Sequence, residues 1–254
     1  MKRFGKTDMN SYYYDFHLHS CLSPCGDNDN TPYNLAGMAA VKGLQVIALT
    51  DHNTCGNCPA FFKACKTHGI IPVAGMELTT AEDIHMVCLF EELEEAMAFD
   101  KAVATRRMLI PNREDIFGEQ LFMDHEDGVL GKEEYLLTPA TTLSLEEAFS
   151  LVGEYNGICY PAHIDRTSNG ILATLGFFPE EPNFSLVEYK DANKRAELEQ
   201  QFPVLKEKGF VASSDAHFLW DMNEPEHCFT VEDEPYSSKR VRSEIFKLLR
   251  GGKV

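Results

Sequence analysis

Basic residues are scarce in this chain of 254 residues. It has 23 lysines and arginines against 40 aspartates and glutamates, which gives a formal net charge of −17 at pH 7. The electrostatic field of this charge repels long polyanions and anionic lipid surfaces, so binding to a long nucleic acid is disfavoured. Divalent cations held by carboxylates and histidines would offset part of the charge. We therefore expect a small partner and neither long nucleic acid nor a membrane.

Long apolar runs are also missing. Val46–Leu49 and Met86–Phe90, among the longest, are far shorter than the roughly 18 residues that span a bilayer. The basic segment 1–10 is not followed by the apolar run that a secretory signal requires. These absences predict a cytoplasmic protein.

The sequence has no internal repeat, which excludes solenoids and propellers. Its eight cysteines, in a cytoplasmic chain, indicate reduced core residues or metal ligands rather than disulfides. Two loop pairs, Cys21 with Cys25 and Cys55 with Cys58, could hold structural zinc or an iron–sulfur cluster. Small-residue packing explains these thiols equally well.

Short β-rich runs alternate with amphipathic stretches along the chain. Strands are predicted at Tyr12–His19, Leu44–Thr50, Ile70–Thr79, Ile84–Phe90, Gly157–His163, Ser185–Lys190 and Gly209–Ser213. Helices are predicted at Pro32–Lys42, Pro59–Thr67, Glu91–Thr105, Leu145–Tyr155, Ala192–Gln200 and Ser238–Leu249. This alternation predicts an α/β fold with a parallel sheet, and so many strands favour a barrel in one domain, residues 1–254.

Residues 109–142 break the alternation. The segment is rich in glycine and proline, and the turn-like Asp127-Gly128 predicts a hairpin inside a loop-rich insertion. Two interpretations stay open, a substrate-contacting lid over the site or a decoration.

Histidines and carboxylates recur at or next to the ends of the predicted strands, nearly always the C-terminal end, although His85 opens its strand. They are His17, His19, Asp51, His52, Glu77, His85, His163, Asp215 and His217. Because the C-terminal ends of barrel strands meet at one face, we expect these side chains to converge as metal ligands. Imidazole and carboxylate suit Zn, Mn or Fe, and the set is too large for one tetrahedral ion. We expect two or three divalent ions, with Glu77 as a bridge, and favour three. His68, His125 and His227 lie outside the pattern.

The motifs resemble those of the PHP (polymerase and histidinol phosphatase) family in content and order. The matching segments are His17-Leu-His19-Ser20, Thr50-Asp51-His52-Asn53, Gly75-Met-Glu77, His85, Pro161-Ala-His163 and Ser214-Asp215-Ala-His217. The resemblance implies a distorted, TIM-like (β/α)7 barrel with a trinuclear metal centre that hydrolyses phosphate esters.

The resemblance also implies how the ligands are shared. His17, His19, Glu77 and Asp215 would hold one ion, Glu77 would bridge to a second at His85 and His163, and His52 with His217 would hold the third. Many members add a ligand from the loop after the first motif, where this sequence departs from the common spacing. Asp27 is our choice there, with Cys25 and Asp29 as rivals.

A water bridging two ions would lose its proton near neutral pH and attack phosphorus. Asp215, His217 and Glu77 are the catalytic candidates, and for Asp215 and His217 both metal binding and proton transfer stay open as roles. Arg166, near His163, is predicted to bind phosphate, as an arginine near this motif does in the family. A surface ion pair of Arg166 with Asp165 or Glu180 is the alternative, and Asn53 and Lys190 are further substrate-binding candidates.

The interpretation is a metal-dependent phosphoesterase for a small phosphorylated metabolite or nucleotide. Histidinol phosphate, nucleoside mono- or bisphosphates and short oligonucleotide 5′ ends are compatible with the family. The alternatives are a 5′ exonuclease on short oligonucleotides and a non-catalytic, metal-binding regulatory module. Hydrolysis of a C–N bond on the same kind of centre also stays open.

Overall fold

The computed structural model describes residues 9–252, so the two ends of the expected domain lie outside the described residues. The strands are β1 (Met9–Leu18), β2 (Val46–Leu49), β3 (Ile71–Thr79), β4 (His85–Phe90), β5 (Leu121–Met123), β6 (Val129–Lys132), β7 (Ile158–Pro161), β8 (Leu186–Tyr189), β9 (Gly209–Ala212) and β10 (Cys228–Glu232). The α-helices are α1 (Pro32–Lys42), α2 (Cys58–His68), α3 (Leu93–Ala104), α4 (Glu114–Phe117), α5 (Leu145–Glu154), α6 (Ile171–Leu175), α7 (Arg195–Gln201) and α8 (Ser238–Arg250). Short 3-10 helices lie at Ala192–Lys194, Pro203–Glu207 and Leu219–Asp221.

The main sheet has the strand order β10-β1-β2-β3-β4-β7. The expected parallel pairing is present between β1, β2 and β3, but β4 runs antiparallel to both β3 and β7. The expectation of a parallel sheet is therefore wrong at β4. A turn at 80–84 joins β3 to β4 in place of a crossover helix, and strand direction is decided by that connection rather than by apolar periodicity.

The strands form a distorted (β/α)7 barrel, as the sequence predicted. The pair β8–β9 is a separate two-stranded sheet, and only a few backbone hydrogen bonds of β8 and of the segment after β9 connect it to the rest of the barrel. On one side Ile164 N–H donates to the carbonyl of Glu188 over 2.9 Å, and on the other Leu18 pairs with Ala216 in parallel. These sparse links account for the distortion.

Alternating residues of each strand pack in two separate apolar layers. Val46 and Ala48 of β2 belong to the barrel interior, whereas Ile47 and Leu49 pack outward against the helices. This alternation follows from the two-residue period of a strand, and buried strands carry apolar residues on both faces. Any charged residue on an inner face therefore needs a specific partner.

Helix α8 closes the end of the barrel opposite His85. Its apolar face, including Val241, Ile245 and Phe246, packs with the inner layer. The side chain of Arg242 anchors the helix there, because its Nε donates to the carbonyl of Glu91 just after β4. The polar inner-face residues lie at the other end.

The hairpin predicted within 109–142 is confirmed. Strands β5 and β6 pair antiparallel around a turn in which Asp127 has a positive φ of 65°. The sequence did not predict β10, which pairs antiparallel with β1, or the short helix α6. In residues 9–252 no helix is both long and apolar enough to cross a bilayer.

Gly75 tests the packing between β3 and its neighbours. A Cβ at this position would lie 2.8 Å from the carbonyl oxygen of Cys88 and 2.9 Å from side-chain atoms of Leu89 and Thr50. Gly75→Ala is therefore expected to lower the free energy of unfolding by roughly 1–3 kcal/mol in urea denaturation.

Gly153→Ala is the matched control, because a Cβ there, inside α5, meets no atom within 4 Å. This variant should be more stable than the wild type by roughly 0.5–1 kcal/mol. Equal effects of the two substitutions would contradict the packing described here.

Candidate metal centre

An irregularity in β1 turns two histidines toward the barrel interior. Phe16 packs inside and Leu18 packs outside, and the register with β2 shifts between Asp15 and Leu18. In a regular strand neighbours alternate faces, so Phe16 and His17 could not both point inward. The shift places His17 and His19 together at the end of the barrel, and both are fully buried.

The carboxylate of Glu77, near the C-terminal end of β3, lies at the centre of the site. Its Oε1 is 2.7 Å from Nδ1 of His85, 3.1 Å from Nε2 of His163 and 3.3 Å from Nε2 of His17. Its Oε2 is 3.0 Å from Nδ1 of His52 and 3.3 Å from Nε2 of His19. Because β4 is antiparallel, His85 at its first residue reaches the same edge as residues that follow the parallel strands.

Several of these atoms are buried without a hydrogen-bond partner. They are Nε2 of His17, Nε2 of His19, Nδ1 of His52, Oε2 of Glu77 and Oδ1 of Asp215. Each such atom costs about 1–3 kcal/mol in a folded protein unless another ligand satisfies it. These atoms lie close together, and imidazole with carboxylate is a donor set for Zn, Mn or Fe. The residues present therefore fit divalent ions.

The structure brings the predicted ligands into three overlapping groups. They are His17, His19, Glu77 and Asp215; His52, Glu77 and His85; and His19, His52 and His217. Within each group the ligand atoms lie within 4.8 Å of one another. His163 joins the cluster through its contact with Glu77.

The loop after β1 does not extend the third group in residues 9–252. Asp27, Asp29 and Cys25 are absent from all three groups. The Oδ1 atom of Asp27 instead accepts the backbone N–H of Asp29 over 2.8 Å. Asp27 nevertheless lies beside the cluster, because its own N–H donates to the carbonyl of His217 over 2.9 Å.

The cysteines form no metal site in the described part of the chain, since none belongs to a ligand group. All eight are free. The thiols of Cys55 and Cys58 donate to the carbonyl of Gly75 over 3.2 and 3.7 Å. They are buried core residues, as the packing interpretation expected.

Asp51 is placed differently from the expectation that it is a ligand. Its carboxylate accepts the backbone N–H and the hydroxyl of Ser20 over 2.7 and 2.6 Å, and the hydroxyl of Ser23 over 2.7 Å. Oγ of Ser23 also contacts Nδ1 of His19 at 3.0 Å. Asp51 therefore supports His19 through Ser23. The sequence did not show this, because it does not give the path of the loop that brings the serines to Asp51.

Asn53 is not available to a substrate, which corrects a second expectation. It is buried, its Nδ2 donates to the carbonyls of Leu137 and Pro139, and its Oδ1 accepts the N–H of Thr79. Its φ of 51° lies in the left-handed region, which asparagine tolerates better than most residues. Asn53 therefore fastens the end of the insertion to β3.

Asp215 connects the cluster to the solvent-facing cations. Its Oδ1 lies 3.6 Å from Nε2 of His17 and 3.4 Å from Nε2 of His19, while its Oδ2 lies 2.6 Å from Arg166 and 3.5 Å from Lys190. The side chains of Arg166 and Lys190 are 40% and 46% exposed, so both can meet a ligand that enters from solvent. Among residues 9–252 Arg166 is paired with Asp215 and forms no ion pair with Asp165 or Glu180, the alternative partners.

Sequence reasoning missed two buried carboxylates below the cluster. Glu188 of β8 contacts His17, and Asp15 of β1 accepts the backbone N–H groups of Ser214 and Asn223 over 3.0 Å each. Both are fully buried. An acidic residue inside an otherwise apolar strand was the signal that could have found them.

Electrostatics inside the cluster are dominated by burial and by the contacts with Glu77. Burial raises the pKa of Glu77, but the nearby His85, His17 and His52 outweigh it and hold that pKa well below its usual range. Burial lowers the pKa of His19, yet its contacts with Asp215 and Glu77 raise it to about 9. Burial lowers the pKa of His217 to about 4, so this imidazole is neutral at pH 7.

The model of the PHP domain matches residues 15–181. The chain belongs to the PHP domain family. The matched segment includes the ligand candidates of the PHP domain from His17 to His163, whereas Asp215 and His217 lie beyond it. An uncharacterized protein from Methanocaldococcus jannaschii is 30% identical over 98 residues, which cover 35% of this chain and 57% of that protein.

Solved structures share the PHP fold at low identity. Endonuclease Q from Pyrococcus furiosus has a TM-score of 0.56 and 16% identity, over 83% of this chain and 49% of that one. A proposed metal-dependent phosphoesterase from Bifidobacterium adolescentis has a TM-score of 0.56 and 17% identity, over 94% and 98%. An amidohydrolase from Chromobacterium violaceum has a TM-score of 0.55 and 16% identity, over 91% and 96%. The chain thus spans about half of Endonuclease Q and nearly all of the other two.

The raised pKa values predict that ion binding releases protons. Without an ion, burial lowers the pKa of His17, but Glu188, Glu77 and Asp215 hold it well above its usual value, and the pKa of His19 is about 9. Both imidazoles therefore keep a proton at pH 7.5 that an ion must displace. Calorimetric zinc titration in buffers of different ionisation enthalpy should show release of about one to two protons, with affinity rising up to about pH 9.

His125→Gln, in the hairpin turn outside every ligand group, is the control and should release as many protons as the wild type. A binding enthalpy that is the same in all buffers would contradict the prediction.

Proposed function

We propose that this PHP domain is a metal-dependent hydrolase that cleaves phosphate esters of a small phosphorylated metabolite or nucleotide. The observation that carries the proposal is the junction at Asp215. One of its carboxylate oxygens faces the buried histidines, and the other is paired with two half-exposed cations, Arg166 and Lys190. A phosphate bound to these cations would lie directly beside the ligand cluster.

Divalent ions held by the cluster would supply a water that is deprotonated near neutral pH and positive charge for the phosphoryl oxygens. Arg166 would bind a phosphoryl oxygen pair with the donors that Asp215 leaves free, and Lys190 would add a second cation. Glu77 would bridge two ions. His217, whose pKa is lowered to about 4, would act as a ligand or accept a proton through its free nitrogen, with Asp215 next to it.

The insertion 109–142 would form one wall of the substrate pocket within a single-domain protein. Its hairpin is fastened to the two loops that carry the ligands. The N–H of Leu121 donates to the carbonyl of Cys21 over 2.9 Å, and Asn57 bonds both Leu121 and Met123. This attachment favours the lid interpretation over decoration.

A nucleic-acid substrate is the second candidate, because Endonuclease Q has also been solved with a duplex that carries an abasic lesion. That complex has a TM-score of 0.58 and 16% identity, and this chain covers 50% of it. The net charge of −17 favours short oligonucleotides over long duplexes on this chain. A 5′ exonuclease on short oligonucleotides is the form that we include in the test.

The test combines metal analysis with phosphate release from purified protein. The substrates are a panel of phosphomonoesters, nucleoside mono- and bisphosphates, short oligonucleotides and an abasic duplex. We expect two or three bound ions of zinc, manganese or iron, and hydrolysis of one class of small substrate. The variant Glu77→Gln should lose the bound ions and should also lose the hydrolytic activity. Bound ions without turnover of any substrate would indicate a regulatory module or an amide substrate, and a chain that binds no ion after reconstitution would overturn the proposal.

Arg166→Ala should raise KM for the phosphorylated substrate by about 10- to 100-fold, since a charged hydrogen bond contributes about 1.5–3 kcal/mol. The KM of Arg166→Lys should lie between those of the wild type and Arg166→Ala, because an ammonium group keeps the charge but loses the bidentate geometry. Arg240→Ala, on α8 at the opposite end of the barrel, is the control. Steady-state kinetics in which Arg166→Ala matches Arg240→Ala would remove Arg166 from the substrate site.

A further inference from the structure

Glu188 places a carboxylate in the apolar interior of the barrel. It lies in β8, it is fully buried, and its inner-face neighbours Leu186, Val211 and Tyr160 are apolar or aromatic. A buried carboxylate costs several kcal/mol unless a charged or hydrogen-bonding partner compensates it. The group that compensates the charge of Glu188 therefore indicates the role of this residue.

The partner of Glu188 is the outer nitrogen of a ligand histidine. Nδ1 of His17 donates to Oε1 of Glu188 over 2.8 Å, and the same oxygen accepts the backbone N–H of His163 over 3.0 Å. Within residues 9–252 no other cationic side chain forms an ion pair with Glu188. One carboxylate oxygen thus contacts two residues of the cluster.

This contact decides which nitrogen of His17 faces the cluster. An imidazole that donates its Nδ1 proton to a carboxylate presents the Nε2 lone pair on its far side. That Nε2 lies 3.3 Å from Oε1 of Glu77 and 3.6 Å from Oδ1 of Asp215, without a hydrogen-bond partner. The orientation is the one in which His17 can bind an ion.

The contact also spans parts of the barrel that few backbone bonds hold together. Glu188 belongs to the separate sheet β8–β9, His17 to β1, and His163 follows β7. Glu188 therefore positions ligands from two other parts of the chain relative to each other.

His19 has a weaker version of the same support. Its Nδ1 contacts Oγ of Ser23 at 3.0 Å, and that hydroxyl donates to Asp51 over 2.7 Å. Each histidine of the His17-Leu-His19 pair thus has its outer nitrogen fixed, one by a carboxylate and the other by a hydroxyl in front of a carboxylate.

We propose that Glu188 is a positioning residue that fixes the tautomer and orientation of His17 and thereby determines the ion affinity of the group His17, His19, Glu77 and Asp215. The inference rests on the proposed metal centre but not on the identity of the substrate. Carboxylates that orient a ligand histidine change metal affinity by about 10- to 100-fold when they are removed.

The first test measures zinc affinity by chelator competition. Glu188→Ala should bind the tightest zinc ion about 10- to 100-fold more weakly than the wild type. Glu188→Gln should recover part of the loss, because its amide oxygen can still accept the Nδ1 proton. Ser23→Ala should lose less than Glu188→Ala, because a carboxylate accepts a proton more strongly than a neutral hydroxyl.

Asp100→Asn is the matched control for removing a carboxylate near the site. Asp100 accepts the hydroxyl of Thr54 and the N–H of Cys55 and contacts none of the ligand histidines. The zinc affinity of the Asp100→Asn variant should equal that of the wild type.

A second readout separates positioning from general stability. Long-range 15N–1H correlation spectra of the zinc-loaded wild type should show the His17 proton on Nδ1, and this resonance should shift or disappear in Glu188→Ala. Thermal unfolding of the metal-free variants shows any structural loss by itself.

Glu188→Ala that binds zinc like the wild type, or a His17 protonated on Nε2, would overturn the positioning role while leaving the metal centre intact. An affinity loss that Glu188→Gln does not reduce and that follows the loss of stability would also overturn it. A wild-type chain that binds no zinc would overturn both this inference and the proposed function.

Discussion

The structure depends on one buried negative charge, the carboxylate of Glu77. Histidines from the loops or ends of four other strands lie within 3.3 Å of its two oxygens. A carboxylate in this position is stable only if positive charge surrounds it, whether from protonated imidazoles or from ions. The irregularity in β1 and the antiparallel direction of β4 bring His17, His19 and His85 to this carboxylate, whereas Arg166 and Lys190 at the outer rim pair with Asp215.

Much of the fold could be predicted because its determinants are local. Helix α1 has the predicted bounds, since Thr31 caps its first turn, Pro32 begins it and Gly43 ends it in the left-handed conformation. The orientation of β4 and the existence of β10 could not be predicted. Both depend on pairing with strands that are distant in sequence or joined by a turn that apolar periodicity does not describe.

In the site, the convergence of the candidate ligands could largely be predicted, and the roles of their neighbours could not. The C-terminal ends of parallel barrel strands meet at one face, so most of the cluster could be expected there. His85 is the exception, because it begins its strand and reaches this face only since β4 runs antiparallel. Asp51 and Asn53 looked like a ligand and a substrate contact, but loop conformation assigns them to Ser20, Ser23 and the backbone of the insertion. Glu188 was overlooked because a single acidic residue in a strand shows no periodicity.

The antiparallel turn between β3 and β4 also bears on how the chain reaches its native state. It brings Glu77 and His85 into contact across only eight positions, whereas Glu77 and His163 are 86 positions apart. Contacts between near neighbours lose less chain entropy and form sooner than distant ones. The short β3–β4 connection therefore places two candidate ligands in contact at a small cost in chain entropy, whereas the contact of Glu77 with His163 has to close a loop of 86 positions.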